Sequence, residues 1–186
     1  MWKHILAIAF TFVAIFPSAG YDSTLTSVSE LDFYMAKYLK DFSNLEVAEV
    51  LAVIQRESRF RPKTVTLERK VRDKSYGPMQ VRLKTARGMG FTGTPEDLCT
   101  WREGLYWGMR YLSYAKKVAQ KTLRYASESN THVLRRRMFA IYNSGGVYWQ
   151  DGVVGGKYIN SIYVHACERN YWKFNTWAEG YLVTKS

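Results

Sequence analysis

The sequence predicts a single domain that is all-α or mainly α. Apolar residues recur at spacings of three and four along most of the chain, residues that cap helices precede several of these stretches, and alternating strand-like patterns are sparse. The chain has 186 residues, which is enough for one domain with a substantial core and short for two. No internal repeat or low-complexity segment divides it.

The first twenty residues have the pattern of a secretory signal peptide. Lys3 and His4 precede an apolar run, Ile5–Phe16, and small residues follow it at positions 17–20. Because the run is short for a membrane span, a cleaved signal is favoured over an uncleaved anchor. We therefore expect an exported protein, periplasmic or extracellular. Its domain would occupy residues 21–168, and an aromatic-rich segment at 169–186 would pack on that domain.

Several of the helical stretches have clear start signals. Ser29 and Asn44 stand where an N-cap is expected, and Thr100 with Glu103 matches a capping box. The segment Phe60–Lys74 is predicted to be a loop because it contains a proline and mixed charges. The predicted helices lie at about Ser29–Phe42, Leu45–Ser58, Met79–Met89, Trp101–Tyr125, Thr131–Asn143 and Lys157–Glu168.

The charge balance is strongly basic, with a formal net charge of +11 at pH 7. Such a charge favours polyanionic surroundings: a cell wall with acidic peptides and polymers, a membrane surface, or nucleic acid. An exported chain rarely meets nucleic acid as a substrate, and no nucleic-acid-binding motif occurs in the sequence. Nucleic acid is therefore the weakest of these candidates, and solubility alone is the ordinary alternative.

Glu57 lies at the end of an apolar stripe of one predicted helix. Spacings of three, four and seven from Val50 would place Val53, Ile54 and Glu57 on the same helical face. Burial of a carboxylate favours its protonated form, and an acid that is still protonated near neutral pH can act as a general acid. The ordinary alternative is a structural glutamate that forms an ion pair with a neighbouring arginine.

Four short sequence motifs at and after Glu57 resemble those of the lytic transglycosylase family of the soluble (SLT) type. That family reads Glu-Ser-x-Phe-x-Pro, then Gly-Leu-Met-Gln-Ile/Val with Thr-Ala and a glycine, then Ala-Tyr-Asn-x-Gly, then a tyrosine directly before an aliphatic residue. The resemblance covers about residues 45–165, with Pro78 and Ile141 as departures and a longer charged connection from Leu67 to Lys74. The four motifs stand here as Glu57-Ser58-Arg59-Phe60-Arg61-Pro62, Gly77-Pro78-Met79-Gln80-Val81 with Thr85-Ala86 and Gly90, Ile141-Tyr142-Asn143-Ser144-Gly145, and Tyr158-Ile159.

The resemblance implies a lysozyme-like fold and cleavage of the MurNAc-GlcNAc β-1,4 bond of peptidoglycan. In the family's mechanism one glutamate, here Glu57, protonates the glycosidic oxygen and then removes the proton of the sugar's own 6-hydroxyl. The products carry 1,6-anhydro-MurNAc ends, and no water is added. No second carboxylate has a motif that would fix it opposite Glu57, as a two-carboxylate glycosidase requires. The alternatives are a hydrolytic muramidase on the same fold and a non-catalytic wall-binding protein.

The same matching assigns supporting roles. Tyr158 would place its hydroxyl near Glu57 and would be the second catalytic residue. Thr66 and Ser75 are rivals for the hydroxyl that polarises an N-acetyl group, and Ser58 is expected mainly to support the helix end. Met79 and Gln80 would line the groove, and Tyr142 and Asn143 would flank the cleavage subsites. The expected substrate-binding residues are therefore Ser58, Thr66, Ser75, Met79, Gln80, Tyr142 and Asn143.

The chain has two cysteines, Cys99 and Cys167. An even pair in an exported chain predicts a disulfide, and two free thiols are the alternative. We expect no metal and no cofactor, since His132 and His165 lack ligand-spaced partners. The implied partners are peptidoglycan glycan strands, with a cell-envelope or secretion machinery as a further candidate. The enzyme itself is expected to act as a monomer.

Overall fold

The computed structural model describes residues 25–68, 72–124, 131–144 and 161–183. It is mainly helical, as predicted, with one small antiparallel sheet between the second and third helices. Its elements in chain order are helices α1 (Leu25–Tyr38) and α2 (Val47–Glu57), strands β1 (Val65–Glu68), β2 (Asp73–Tyr76) and β3 (Val81–Arg82), helix α3 (Leu83–Gly88), a 3-10 turn (Asp97–Cys99), and helices α4 (Trp101–Arg124), α5 (Thr131–Ser144) and α6 (Ser161–Val183).

The core forms where α4 packs against α1 and α5, and where α6 packs against α2 and α5. The apolar residues of the predicted α2 stripe, Val50, Val53 and Ile54, expose none of their surface, and Glu57 at its end is partly exposed. The long helix α4 buries a matching stripe. Its buried members recur at three and four residues, as an amphipathic helix requires: Leu105, Met109, Leu112, Ala115 and Ala119.

The helix starts agree only partly with the predicted caps. Thr100 does cap α4, because its hydroxyl accepts a hydrogen bond from the Glu103 backbone N–H at 3.1 Å. The cap at Asn44 is wrong: α2 begins at Val47, and the Asn44 side chain accepts a hydrogen bond from the Ser113 hydroxyl at 2.8 Å. Asn44 therefore ties the start of α2 to α4 instead of closing the helix.

Two other predictions are corrected in the region 60–89. The predicted loop contains a hairpin, in which Val65 pairs with Tyr76 and Glu68 pairs with Asp73. The predicted helix at 79–89 begins only at Leu83, because Val81 joins the sheet opposite Tyr76. These strands are two to four residues long and depend on partners distant in sequence, so local periodicity does not reveal them.

The last helix is longer than predicted. α6 runs without a break from Ser161 to Val183, so the predicted boundary after residue 168 falls inside it. Tyr171 and Phe174 of α6 are buried in the core. The predicted signal peptide lies outside the described residues. Within the described part, the helices are too short or too polar to cross a membrane.

Candidate active site

Glu57 is the last residue of α2, and the chain turns sharply after it. The Ser58 backbone N–H donates to the Ile54 carbonyl at 3.0 Å, and the buried Ser58 hydroxyl donates to the same oxygen at 3.3 Å. Arg59 and Phe60 follow with positive φ angles of 53° and 62°. Ser58 therefore holds the helix end, as expected, and its hydroxyl is directed to the backbone.

The carboxyl of Glu57 meets a tyrosine of α6. The Tyr163 hydroxyl donates a hydrogen bond to Glu57 Oε1 at 2.6 Å. Tyr163 is only 2% exposed, and the Arg56 guanidinium lies 5.6 Å from the centre of its ring. Burial, followed by the charge of Glu57, raises the pKa of Tyr163 well above its usual value, so the phenol stays neutral. A buried, neutral donor thus fixes one oxygen of the acid.

The surroundings of Glu57 favour its protonated form. Burial raises the pKa of its carboxyl from 4.5 to about 7, while the Tyr163 hydrogen bond and the charge of Arg56 act in the opposite direction. The carboxylate of Glu68 adds a smaller upward contribution to the pKa. Glu57 is therefore partly protonated at neutral pH, the condition in which one residue can both give and take a proton.

The turn at Gly77–Gln80 is held from inside the protein. Gln80 has φ +51°, and its Nε2 donates to the carbonyls of Thr64 at 2.9 Å and Gly77 at 2.8 Å. Met79 exposes none of its side chain, which packs against Gly108, where a Cβ would overlap it. The expectation that the Met79 side chain lines a groove is therefore wrong. The Met79 side chain fills the core and helps to hold the turn at Gly77–Gln80 in place.

Tyr142 connects this turn to α5. Its hydroxyl donates to the Met79 carbonyl at 2.7 Å, and its ring centre lies 5.1 Å from that of Tyr111 on α4. Burial, followed by the charge of Glu57, raises the pKa of Tyr142, which places the phenol within electrostatic reach of the acid. Asn143 follows on the exposed surface of α5. The charge of Glu57 thus acts on Tyr142, while the Tyr142 hydroxyl itself is directed to the turn.

The hairpin carries the two rival hydroxyls side by side. Thr66 and Ser75 are direct partners in the β1–β2 register, so their side chains share one face of the sheet. Thr66 is exposed, whereas Ser75 is 4% exposed and donates to Glu68 Oε1 at 3.4 Å. Glu68 lies on the same face, two residues after Thr66, and its charge reaches Glu57. This face of the sheet therefore carries the carboxylate whose charge acts on Glu57.

Sequence reasoning missed Tyr163. The tyrosine predicted to orient Glu57 was Tyr158, which lies outside the described residues. The signal was present, because Tyr163-Val164 also has a tyrosine directly before an aliphatic residue. Tyr163 also begins a buried stripe at spacings of four, four and three: Tyr163, Cys167, Tyr171 and Phe174.

The predicted disulfide is wrong, since both cysteines are free. Each thiol is engaged locally: Cys99 Sγ lies 3.8 Å from the Pro95 carbonyl as its hydrogen-bond donor, and Cys167 is buried one helical turn after Tyr163. Burial raises the pKa of Cys167 to about 12, with the Tyr163 hydrogen bond acting in the opposite direction, so the thiol stays protonated. An even cysteine count did not imply a bridge.

A mainly helical domain with a small antiparallel sheet, and a glutamate of raised pKa at the end of α2, is the arrangement of lysozyme-like domains. Residues 34–150 match the family model described as Transglycosylase SLT domain. This match spans more than half of the chain, and the protein belongs to the SLT transglycosylase family. The comparisons with curated proteins and with solved structures gave no match. The family membership supports cleavage of glycosidic bonds in peptidoglycan.

Proposed function

We propose that the protein is a peptidoglycan lytic transglycosylase that cleaves the MurNAc-GlcNAc β-1,4 bond and leaves 1,6-anhydro-MurNAc ends. The observation that carries this proposal is the Glu57 carboxyl with a raised pKa and a neutral phenol, Tyr163, 2.6 Å from Oε1. The enzyme would act in the periplasm or outside the cell, where its substrate lies. Its predicted signal segment at residues 1–20 agrees with that location.

In the first step Glu57 acts as an acid. Because Tyr163 donates to Oε1, the proton of the acid belongs on Oε2, which is left to face the glycosidic oxygen. The proton passes to that oxygen, the bond from it to the anomeric carbon breaks, and the GlcNAc leaving group departs as an alcohol. A pKa of about 7 makes this proton available at neutral pH.

In the second step the same carboxylate acts as a base. It takes the proton of the sugar's 6-hydroxyl while O6 forms the new bond to the anomeric carbon. Glu57 returns to its protonated form, and no water enters the balance. The hydrogen bond from Tyr163 and the charge of Arg56 stabilise the carboxylate between the two steps.

Two exposed polar groups are suited to hold the sugar. Asn143 offers an amide at the surface beside Tyr142, and Thr66 offers a hydroxyl on the hairpin face that carries Glu68. We favour Thr66 over Ser75 for the N-acetyl group, because the Ser75 hydroxyl is buried and already donates to Glu68. Gln80 would act indirectly by holding the turn at Gly77–Gln80.

Product analysis tests the proposal directly. Purified sacculi are digested with the protein, and the released muropeptides are weighed by mass spectrometry. A transglycosylase gives anhydro ends, which are lighter by one water than the reducing ends that a hydrolase makes. Products that all carry the added water would overturn the water-free mechanism while leaving the wall as the substrate.

A hydrolytic muramidase is the second candidate, and one observation favours it. The Glu68 carboxylate is close enough to Glu57 to raise its pKa, and a second carboxylate can hold the water that a hydrolase needs. A Glu68→Gln variant separates the two mechanisms. Hydrolysis would lose its water-positioning group, whereas the anhydro reaction would keep most of its rate.

A further inference from the structure

Aromatic rings lead from the catalytic site out along α4. Tyr111 lies 5.1 Å from Tyr142, ring centre to ring centre, and Tyr114 stacks on Tyr111 at 6.3 Å with an angle of 16° between the rings. Tyr111 is partly buried, and its hydroxyl lies 3.5 Å from the Ile141 carbonyl. Tyr114 is 50% exposed, so packing alone does not account for its ring.

Arg82 lies on β3, which packs against α4, the helix that carries Tyr111 and Tyr114. Arg82 pairs with Ser75, which pairs with Thr66, so the three side chains form a row on the sheet face that carries Glu68. Arg82 is exposed, and its positive charge lowers the pKa of Tyr111 against the larger upward effect of burial. Within the described residues Arg82 forms no ion pair.

We propose that Arg82, Tyr111 and Tyr114 form a subsite for the peptide-bearing part of the glycan strand, with the rings under a sugar or its substituent and Arg82 paired with a peptide carboxylate. The inference rests on the proposed function, because it places this subsite next to the Glu57 centre. Planar guanidinium groups suit carboxylates, and exposed tyrosine rings offer apolar area with a polar tip. A strand with acidic stem peptides presents both kinds of group.

Binding to two kinds of strand tests the subsite. Glycan strands of matched length are prepared with their stem peptides and after an amidase has removed them. Binding is measured with the full-length Glu57→Gln variant, so that no strand is cleaved. Adding Arg82→Gln should weaken binding to peptide-bearing strands by about three- to tenfold and leave binding to stripped strands unchanged. Tyr114→Ala should weaken binding to both.

Arg110 provides the matched control. It is an exposed arginine on α4, the helix that carries Tyr111 and Tyr114. Its guanidinium lies 5.5 Å from the centre of the Trp107 ring. Arg110→Gln should leave binding to both strands unchanged. If Arg82→Gln changes neither strand, or weakens both equally, the subsite is wrong and the proposed function stands. If the Glu57→Gln parent binds neither strand, the proposed function fails, and the subsite fails with it.

Discussion

Helix α2 carries two glutamates with different hydrogen-bond partners. Glu49 is 1% exposed and accepts two hydrogen bonds from the Lys116 ammonium, at 2.7 and 2.8 Å. Glu57, two turns later, accepts one hydrogen bond, from the neutral phenol of Tyr163. Burial raises the pKa of both carboxyls, but at Glu49 the charge and hydrogen bonds of Lys116 oppose the rise. Glu49, paired with a lysine ammonium, therefore has a structural role, whereas Glu57, paired with a neutral phenol, is able to exchange its proton.

The Glu49 pair joins three helices. Lys116 lies on α4, and Glu49 Oε2 also accepts the backbone N–H of Glu46 at 2.9 Å. Glu46 in turn accepts a hydrogen bond from the Tyr171 hydroxyl of α6 at 2.8 Å. These contacts fix the start of α2, so that its last residue is presented at a defined position. Among the described residues, no lysine ammonium forms an ion pair with Glu57, so Glu57 can exchange its proton.

The largest expected effect is the loss of activity in Glu57→Gln. General acid–base catalysis typically contributes about 10²- to 10⁴-fold, and here one residue would serve both steps. Digestion of sacculi by this variant, measured as the loss of turbidity, should therefore fall below detection. Circular dichroism should show an unchanged fold. A folded Glu57→Gln protein that still digests sacculi would refute the catalytic assignment.

Breaking the Glu49 pair should instead cost stability. Lys116→Met leaves a buried carboxylate without its partner, which typically costs about 3–5 kcal/mol of unfolding free energy at neutral pH. The loss should shrink at low pH, because Glu49 is then protonated and neutral. Urea unfolding measures both values.

The double variant Glu49→Leu with Lys116→Met is the control for this prediction. It removes both charges, so most of the stability lost in Lys116→Met should return. An unchanged stability in Lys116→Met alone would contradict the view that the pair is structural.

Tyr163→Phe should reduce the rate by about ten- to a hundredfold, because a hydrogen bond to a charged group is worth about 1.5–3 kcal/mol. The Tyr163 hydrogen bond lowers the pKa of Glu57, so its loss should move the alkaline limb of the pH–rate profile upward. Tyr158→Phe is the matched comparison, since sequence matching placed the orienting hydroxyl there. A large loss in Tyr158→Phe with little loss in Tyr163→Phe would reverse the assignment.

The raised pKa of Glu57 should also appear in stability. A carboxyl that titrates at about 7 when folded and near 4.5 when unfolded binds its proton more tightly in the native state. Its contribution to stability is thus greatest below pH 4.5 and is lost as the pH rises towards 7. Relative to Glu57→Gln, the wild type should lose on the order of 1–3 kcal/mol over this range. Parallel unfolding curves for the two proteins would contradict the raised pKa.

The helical part of the fold was predictable, and the hairpin was not. The buried stripe of α2 with Glu57 at its end follows from spacings of three and four, and α4 is long enough for its period to be unmistakable. β1 has an exposed Val65 and Leu67 and ends in charge, so it lacks the pattern of a buried strand. Its pairing with β2 depends on tertiary contacts that a local pattern does not contain.

The candidate site was predictable only where a sequence motif fixed both identity and position. The Glu57 motif names one glutamate, whereas the tyrosine–aliphatic pair occurs twice within seven residues and could not select Tyr163. The cysteine count gave no distances, and the thiols proved to be free. Met79 is part of a family motif, but its apolar side chain is buried in the core.

The smallest expected effects concern the other acids of the chain. Asp97→Asn and Asp73→Asn should leave the rate within about tenfold of wild type, because neither acid is fixed opposite Glu57. The Asp97 carboxylate accepts hydrogen bonds from the Thr94 N–H and hydroxyl, at 2.8 and 3.0 Å, and so stabilises a local turn. Asp151→Asn is expected to behave in the same way, although Asp151 lies outside the described residues.

Glu68→Gln is the sharpest of these tests, because Glu68 is the acid whose charge reaches Glu57. In the water-free mechanism it only raises the pKa of Glu57, so its loss should cost less than about tenfold. The alkaline limb of the pH–rate profile should then move downward, opposite to the shift expected for Tyr163→Phe. The same digests, measured across pH, give both rate and shift. If Glu68→Gln is as inactive as Glu57→Gln, the enzyme uses two carboxylates and a water, and the anhydro mechanism must be withdrawn.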